Sequence, residues 1–247
     1  MLMIRPTTSH YPLTPGTLLL GLLLVLLSPS SPANDSLPNF IAEYTVSRNG
    51  NDIGVRTHRL FHTGHNYLYE ATMHTTGLAS LFKPGTITER SHGRLHQQRI
   101  VPQRYEYLDS SNTARNAYLK FDWNRLSVTN HVGNTPWQMS IPLGAQDKFG
   151  YMLSLMQDLK QGQTTTEYKI ADGGRLKTYL FTALGNEVIV TPAGKYTAVK
   201  LRRTRLGKNN RITYIWCLPE KHYLPIKIER HKKDTIYTML LSHVSGL

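Results

Sequence analysis

The chain reads as a mainly β protein: a curled antiparallel meander forming an open or partly closed barrel, with one helix at about residues 147–160. Three observations predict this. Apolar and polar residues alternate with period two through most of the chain from residue 40 onward. Clusters of Gly, Asn, Asp and Pro separate the alternating runs at short intervals. A single segment breaks the rhythm with helical spacing. Strands in sequence with tight turns between them favour a meander that curls on itself.

Phe40, Ala42, Tyr44 and Val46 share one face of the first strand. Asn49-Gly50 follows as a hairpin turn, because both central positions of the favoured turn need positive φ. Ile53, Val55, Thr57, Arg59 and Phe61 continue at period two. After Thr63-Gly64-His65-Asn66, the pattern resumes with Tyr67, Tyr69, Ala71 and Met73. A short helical turn is predicted at 77–82, ended by Pro84. Strands are predicted at 86–92, 103–109, 115–122 and 125–130. Further strands are predicted at 167–171, 177–183, 187–191, 196–205, 211–218, 224–231 and 235–244. Asp172-Gly173-Gly174, Pro192-Ala193-Gly194 and Gly207-Lys208-Asn209-Asn210 are the turns between them. Phe149, Met152, Leu153, Met156 and Leu159 recur at helical spacing, with Asp147 as N-cap and Gly162 as stop.

The leader is as informative as the strands. Residues 18–27 are apolar throughout, Arg5 precedes them, and Ser31-Pro32-Ala33 supplies small residues for cleavage. Ten apolar residues are too few to cross a bilayer core, which takes about 20. The pattern predicts a signal peptide over 1–33, cleavage after Ala33, and a single β-rich domain over 34–247. The expected product is exported and soluble in the periplasm, and does not span a membrane. Cys217 is the only cysteine, so neither an internal disulfide nor a lipid-accepting cysteine at the cleavage site is available. Its apolar strand context, Ile215-Trp216-Cys217-Leu218, predicts a buried thiol.

Charge is unevenly placed. The chain carries a formal +13, and residues 195–233 hold twelve Lys and Arg against only Glu220 and Glu229. Lys200, Arg202, Arg203 and Arg205, then Lys208 and Arg211 about the next turn, then Lys227 and Arg230, are the candidate polyanion-binding residues. Neighbouring strands of a meander would gather them on one face. The alternative is a charged edge that discourages strand-to-strand association. Export argues against nucleic acid and in favour of anionic lipid headgroups or acidic polysaccharide.

Catalytic and metal signatures are sparse. There is no G-x-S-x-G and no H-E-x-x-H. Ser80-Leu81-Phe82-Lys83 matches S-x-x-K, but the faint K-T-G echo, His62-Thr63-Gly64, precedes it instead of following, and Pro84 forbids the long helix required. His58, His62, His65, His92 and His96 lack the close pairing and the Cys or carboxylate partners of a zinc site. No catalytic residue, metal or cofactor is assigned. Fourteen tyrosines suggest large amphipathic faces, either lining a cavity for an amphiphile with the helix as lid, or closed by that helix as core.

In the C-terminal half the residues carry a resemblance. Thr191-Pro192-Ala193-Gly194-Lys195-Tyr196, Trp216-Cys217-Leu218-Pro219-Glu220 and Tyr223-Leu224-Pro225-Ile226-Lys227-Ile228 resemble the closing pattern of a bacterial envelope family, domain of unknown function 3108. Tyr44-Thr45-Val46, Asn49-Gly50, Ile53-Gly54 and Thr76-Gly77-Leu78-Ala79-Ser80-Leu81-Phe82 resemble its opening, and Asp147 resembles its aspartate before the helix. The match spans about residues 40–243. It implies an exported β-rich protein of Gram-negative bacteria and brings no activity, substrate or catalytic residue. Cys217-Leu218-Pro219 departs from the family's small and acidic residues. Gly77, Asp147, Gly194, Trp216 and Pro225 are expected to be structural, Trp216 as a core anchor and Pro225 at an edge or bulge. The resulting expectation is a non-enzymatic envelope binding or maintenance protein that holds a lipid or an acidic polymer. A scaffold that meets another envelope protein through its basic face is the first alternative, and a hydrolase with an unrecognised site the second.

Overall fold

Period-two alternation in the sequence becomes alternation in burial. In β1 (Phe40–Arg48), Phe40, Ala42, Tyr44 and Val46 are buried and the residues between them are not. The computed structural model describes residue 3 and residues 37–77, 80, 84–96, 98–132, 135–205 and 208–247, with the backbone alone at 132, 135 and 208–211. The predicted leader therefore lies outside the described residues, as do most of the predicted helical turn at 77–82 and the side chains of Lys208 and Arg211. Asp35–Leu247 makes one compact unit.

After β1 come β2 (Asn51–Thr63), β3 (Asn66–Thr75), β4 (Thr86–His96) and β5 (Arg99–Asp109). Three short strands follow, β6 (Ala117–Asp122), β7 (Ser127–Val132) and β8 (Thr135–Ser140), and then β9 (Gln146–Asp147) and helix α1 (Tyr151–Lys160). The remaining strands are β10 (Thr165–Asp172), β11 (Arg175–Thr191), β12 (Gly194–Arg205), β13 (Lys208–Leu218), β14 (Leu224–Lys232) and β15 (Thr235–Ser245). All belong to one sheet, ordered β8-β7-β6-β5-β4-β3-β2-β1-β15-β14-β13-β12-β11-β10-β9. Chain neighbours are sheet neighbours except β8 and β9, and the first and last strands meet mid-sheet, with Tyr44 opposite Leu241. The one parallel pair is β9 with β10, because α1 is the crossover between them.

The sheet is an open barrel: its edges, β8 and β9, do not pair with each other. They nevertheless approach the opposite wall. A Cβ on Gly174, in the β10–β11 turn at φ +76°, would overlap the Trp137 ring of β8, so only glycine allows this contact. Gln146 Nε2 of β9 donates to the Ile100 carbonyl at 2.9 Å, and Ser91 Oγ of β4 donates to Asp147 at 2.5 Å.

Helix α1 occupies the concave face. Every residue from Tyr151 to Gln157 is buried, and so is Leu159. Phe149, just before it, stacks on Tyr69 at 4.1 Å, while Tyr151 lies 5.7 Å from Phe181 and 6.0 Å from Tyr179. Each large side chain sealed this way contributes about 1.5–3 kcal/mol. The helix is thus a plug of the core and not a lid over a cavity.

Three local expectations change. The helix begins at Tyr151, since Asp147 belongs to β9 and caps the turn ahead of the helix, accepting from Phe149 N–H at 2.7 Å and Gly150 N–H at 2.6 Å. The predicted strands 177–183 and 187–191 are one strand, β11, because Leu184-Gly185 is a bulge with Gly185 at φ +106° and not a turn. Strands β8 and β9 are not among the expected strands: β9 has only two residues, and β8 carries only Trp137 and Met139 at period two.

Candidate functional site

The cations of the C-terminal basic segment do not gather on one face. Register places Lys200, Arg202, Tyr214, Trp216, Lys227 and Glu229 on one side of β12–β14, and Arg203, Thr213 and Arg230 on the other. Lys200 Nζ pairs with Glu187 at 2.7 Å and lies 5.1 Å from the Trp216 ring centre. Lys227 Nζ sits 4.4 Å over the same ring and pairs with Glu229 at 2.9 Å. Trp216 Nε1 donates to Glu187 at 2.7 Å. Trp216 is therefore a buried platform between two lysines, each balanced by a carboxylate. Glu187 is held below the ordinary carboxylate range by its hydrogen bonds from Lys200 and Trp216. Arg203 turns toward the helix, where Nη1 donates to Tyr151 Oη at 3.0 Å and Nη2 to Thr213 Oγ1 at 2.9 Å. Arg202 and Arg230 are exposed and Arg205 is half-buried.

A second basic surface lies where no charge run marks the sequence. Strands β5 and β6 pair only from Arg104–Tyr107 to Ala117–Lys120, and diverge beyond Arg104 and Lys120. A bulge at His92/Gly93 bends the β4–β5 pair in the same place. Trp123 fills part of the split, donating Nε1–H to the Pro102 carbonyl at 2.7 Å and stacking on Phe121 at 5.6 Å. The result is an open groove of about 1330 Å³. Leu95, Phe121 and Trp123 give it an apolar wall, and Arg94, Arg104 and Lys120 a cationic rim. His65, His92 and His96 also line it. Asp122 is the one acid of the lining, and its Oδ1 is taken by the Asn124 and Arg125 N–H groups at 3.1 and 3.0 Å. Among the described residues no carboxylate pairs with Arg94, Arg104 or Lys120.

The strongest polar chemistry is inside the barrel. Arg56 pairs with Glu89 at 2.6 Å and donates Nε–H to His58 at 2.9 Å, and His58 bonds Tyr69 Oη at 2.9 Å. Tyr105 and Lys148 approach the other Glu89 oxygen at 2.8 and 3.6 Å. Burial opposes Glu89 ionisation, but the Arg56 and Lys148 charges and the hydrogen bonds prevail and lower it to about 2. Asp147 has no such counter-charge. Burial raises it to about 6, against the pull of the Gly150, Ser91 and Phe149 hydrogen bonds. Ser91 and Asp147 are sealed from solvent, so this pair fastens β9 to β4 instead of meeting a substrate. Burial also pushes the Cys217 thiol up and the His58 imidazole down. Among the described residues no three of His, Cys, Asp and Glu converge to hold a metal ion.

A family model, protein of unknown function (DUF3108), matches residues 43–242. The chain belongs to the DUF3108 family. A comparison with curated proteins finds no match. Among solved structures, the β-barrel-like DUF1849 protein of Brucella abortus superposes with TM-score 0.60 at 8% identity, over 86% of this chain and 99% of that one. This likeness is one of fold alone. A lipoprotein candidate of Parabacteroides distasonis (TM-score 0.36, 11% identity, 84% and 95% covered) scores too low to bear on the fold. The same holds for an exported-protein candidate of Bacteroides fragilis with a YmcC-like fold (0.33, 9%, 84% and 94%).

The DUF3108 motifs form scaffold, each by an identifiable contact. In Thr191-Pro192-Ala193-Gly194-Lys195-Tyr196, Thr191 Oγ1 accepts from Ala193 N–H at 3.1 Å and Tyr196 Oη donates to the Ala193 carbonyl at 2.7 Å. Gly194 holds φ +142° with its missing Cβ facing the Tyr196 ring. Gly77 takes φ +59°, and its carbonyl accepts from Ser80 Oγ at 2.7 Å. Pro225 stands opposite Cys217 at the bulge in β14, where Ile226 is the extra residue, and its carbonyl accepts from Tyr44 Oη at 3.0 Å. No described residue of these motifs is among those lining the groove. A run-by-run charge count missed the groove because its cations come singly from three strands. The signal that marks it is the alternation His92, Arg94, His96 beside Arg104 and Lys120.

Proposed function

We propose that this DUF3108 protein is an exported periplasmic protein that binds without transforming its ligand, and that the β4–β6 groove takes the headgroup and upper chain of an anionic lipid. The observation that carries this reading is an apolar wall of Leu95, Phe121 and Trp123 adjoining three cations without carboxylate partners. A headgroup phosphate meets the cations as charge-assisted hydrogen bonds while the chain covers the aromatic wall. The export expectation rests on the apolar leader, and no helix among the described residues is long and apolar enough to cross a membrane. The buried helix inside the barrel supports reading the amphiphile site at this groove instead of within the sheet.

Flotation with phosphatidylglycerol and phosphatidylcholine vesicles tests the reading. Binding to the anionic vesicles alone is expected, weakened about tenfold in an Arg94→Gln/Arg104→Gln/Lys120→Gln variant and preserved in Lys200→Gln/Arg202→Gln. Equal binding by all three proteins overturns it, and so does displacement by polygalacturonate with no response to lipid. The scaffold reading draws on Val188 and Val190, 58% and 69% exposed on β11 beside Lys195. A partner lost on Val188→Asp but kept by the groove variant would favour it.

A further inference from the structure

We propose that the groove is tuned by protons: His65, His92 and His96 strengthen its hold on an anionic ligand as pH falls through the histidine range. The inference rests on the groove reading above and adds its regulation.

Register supplies the geometry. On β4, residues 92, 94 and 96 project to the same side, because alternate residues of a strand share a face. His92 stands opposite Arg104 on β5, and Arg104 opposite Lys120 on β6. Strands lie about 4.8 Å apart and alternate residues about 7 Å apart, so His92 is the corner of an L of basic groups. His96 ends one arm opposite Arg99. His65 joins from the β2–β3 turn, its carbonyl accepting the Leu95 N–H at 2.7 Å.

The surrounding charges are arranged to make the histidines responsive. Glu70 and Glu106 sit one step inward, and Arg90 holds both, at 2.6 and 3.7 Å. Asp122 is engaged by backbone N–H groups. At His92 the empty groove therefore disfavours the imidazolium. Burial lowers His92 first, Arg104 and Arg90 lower it further, and Glu106 and Glu70 only partly offset them. A bound phosphate reverses that balance, since it adds the negative charge the groove lacks. The liganded state then binds more protons than the empty one, so affinity must rise on acidification.

Titration calorimetry with phosphatidylglycerol vesicles at pH 7.5 and 5.5, at constant ionic strength, reads this directly, because that headgroup does not titrate in the interval. A protonated histidine about 7 Å from a phosphate in a water-like dielectric strengthens binding about threefold, so the three together give up to about a 25-fold tighter complex at pH 5.5. Proton uptake on binding is expected as a heat that varies with the buffer. His65→Asn/His92→Asn/His96→Asn is expected to lose the pH response, leaving less than about a twofold difference between its own affinities at the two pH values. If that variant fails to fold, His92→Asn alone is expected to flatten part of the response. Equal affinity at both pH values overturns the inference and leaves the groove reading standing. A full pH response in the histidine variants also overturns it. Absence of binding at either pH defeats the groove reading itself.

Discussion

The protein carries two basic regions, and they use their charge in opposite ways. The C-terminal region is rich in Lys and Arg by count, yet Lys200 and Lys227 clamp Trp216 against Glu187 and Glu229, and Arg203 holds the helix. The β4–β6 groove has few cations, one per strand, and among the described residues Arg94, Arg104 and Lys120 meet no carboxylate. Formal charge along a chain thus does not measure the charge offered to a ligand. What decides is whether each cation already has a carboxylate, an aromatic face or a buried acceptor in the fold.

The largest test of that contrast is Trp216→Ala. Trp216 is 4% exposed and supports both lysines, so its loss leaves a cavity and two cations without their platform. Urea unfolding is expected to show a loss of about 3–5 kcal/mol. Arg104→Gln and Lys120→Gln are expected to change stability by less than about 0.5 kcal/mol each, as exposed positions usually do. A small effect of Trp216→Ala would mean that the C-terminal cations are more available than the geometry implies.

Adjacent arginines give the next test. Arg203→Gln removes hydrogen bonds to Tyr151 and Thr213 under the sheet, and a loss of about 1–3 kcal/mol is expected. Arg202→Gln, one residue away on the solvent side, is expected to be nearly neutral. Equal effects would erase the distinction between the two faces of β12.

Acidity sharpens the comparison further, because the groove's proton response must be separable from the fold's own. Asp147 is raised to about 6 in the folded chain, so the native state takes up its proton before the unfolded chain does. Its contribution to stability therefore grows as pH falls from 7.5 to 5.5, by about 1 kcal/mol, and is absent well above pH 6. Glu89, lowered to about 2, works the other way: its stabilisation is present above the unfolded value near 4.5 and fades below it. Chemical denaturation between pH 7.5 and 5.5 is expected to show a fold that weakens, because burial keeps His58 neutral while the unfolded chain protonates it near 6.5, and Asp147→Asn is expected to deepen that loss by about 1 kcal/mol. Asn at this position can still accept from Phe149 and Gly150 and donate to Ser91, so the variant isolates the titration from the cap.

The scaffold was legible in the chain and the groove was not, for a physical reason. Alternation at Phe40, Ala42, Tyr44 and Val46 reports burial on one face, and Asn49-Gly50 reports positive φ, both local properties. The 147–160 segment showed its helix through Met152, Leu153, Met156 and Leu159, but only packing reveals that nearly all of its surface is buried. The two-residue β9 has too little length for periodicity and exists because Gln146 and Asp147 find acceptors and donors on β4 and β5. The groove depends on where β5 and β6 cease to pair, a property of two strands together. The charge run at 195–233 is plain in the sequence, but its division between two faces follows from the β12–β14 register.

The smallest expected effect is also the most direct measure of a cation engaged by the fold. Lys227→Gln removes the ammonium over the Trp216 ring and the Glu229 pair while keeping most of the aliphatic stem. A half-buried cation–π contact contributes about 0.5–1 kcal/mol, and the neighbouring ion pair adds little because water screens it. The expected loss in urea unfolding is therefore under about 1 kcal/mol. Lys120→Gln should behave in the opposite sense, leaving the unfolding midpoint unchanged and lowering vesicle affinity in a salt-dependent way. If Lys227→Gln instead leaves stability unchanged and weakens vesicle binding, then the lysine of the Trp216 stack is available to ligand, and the two basic regions act as one.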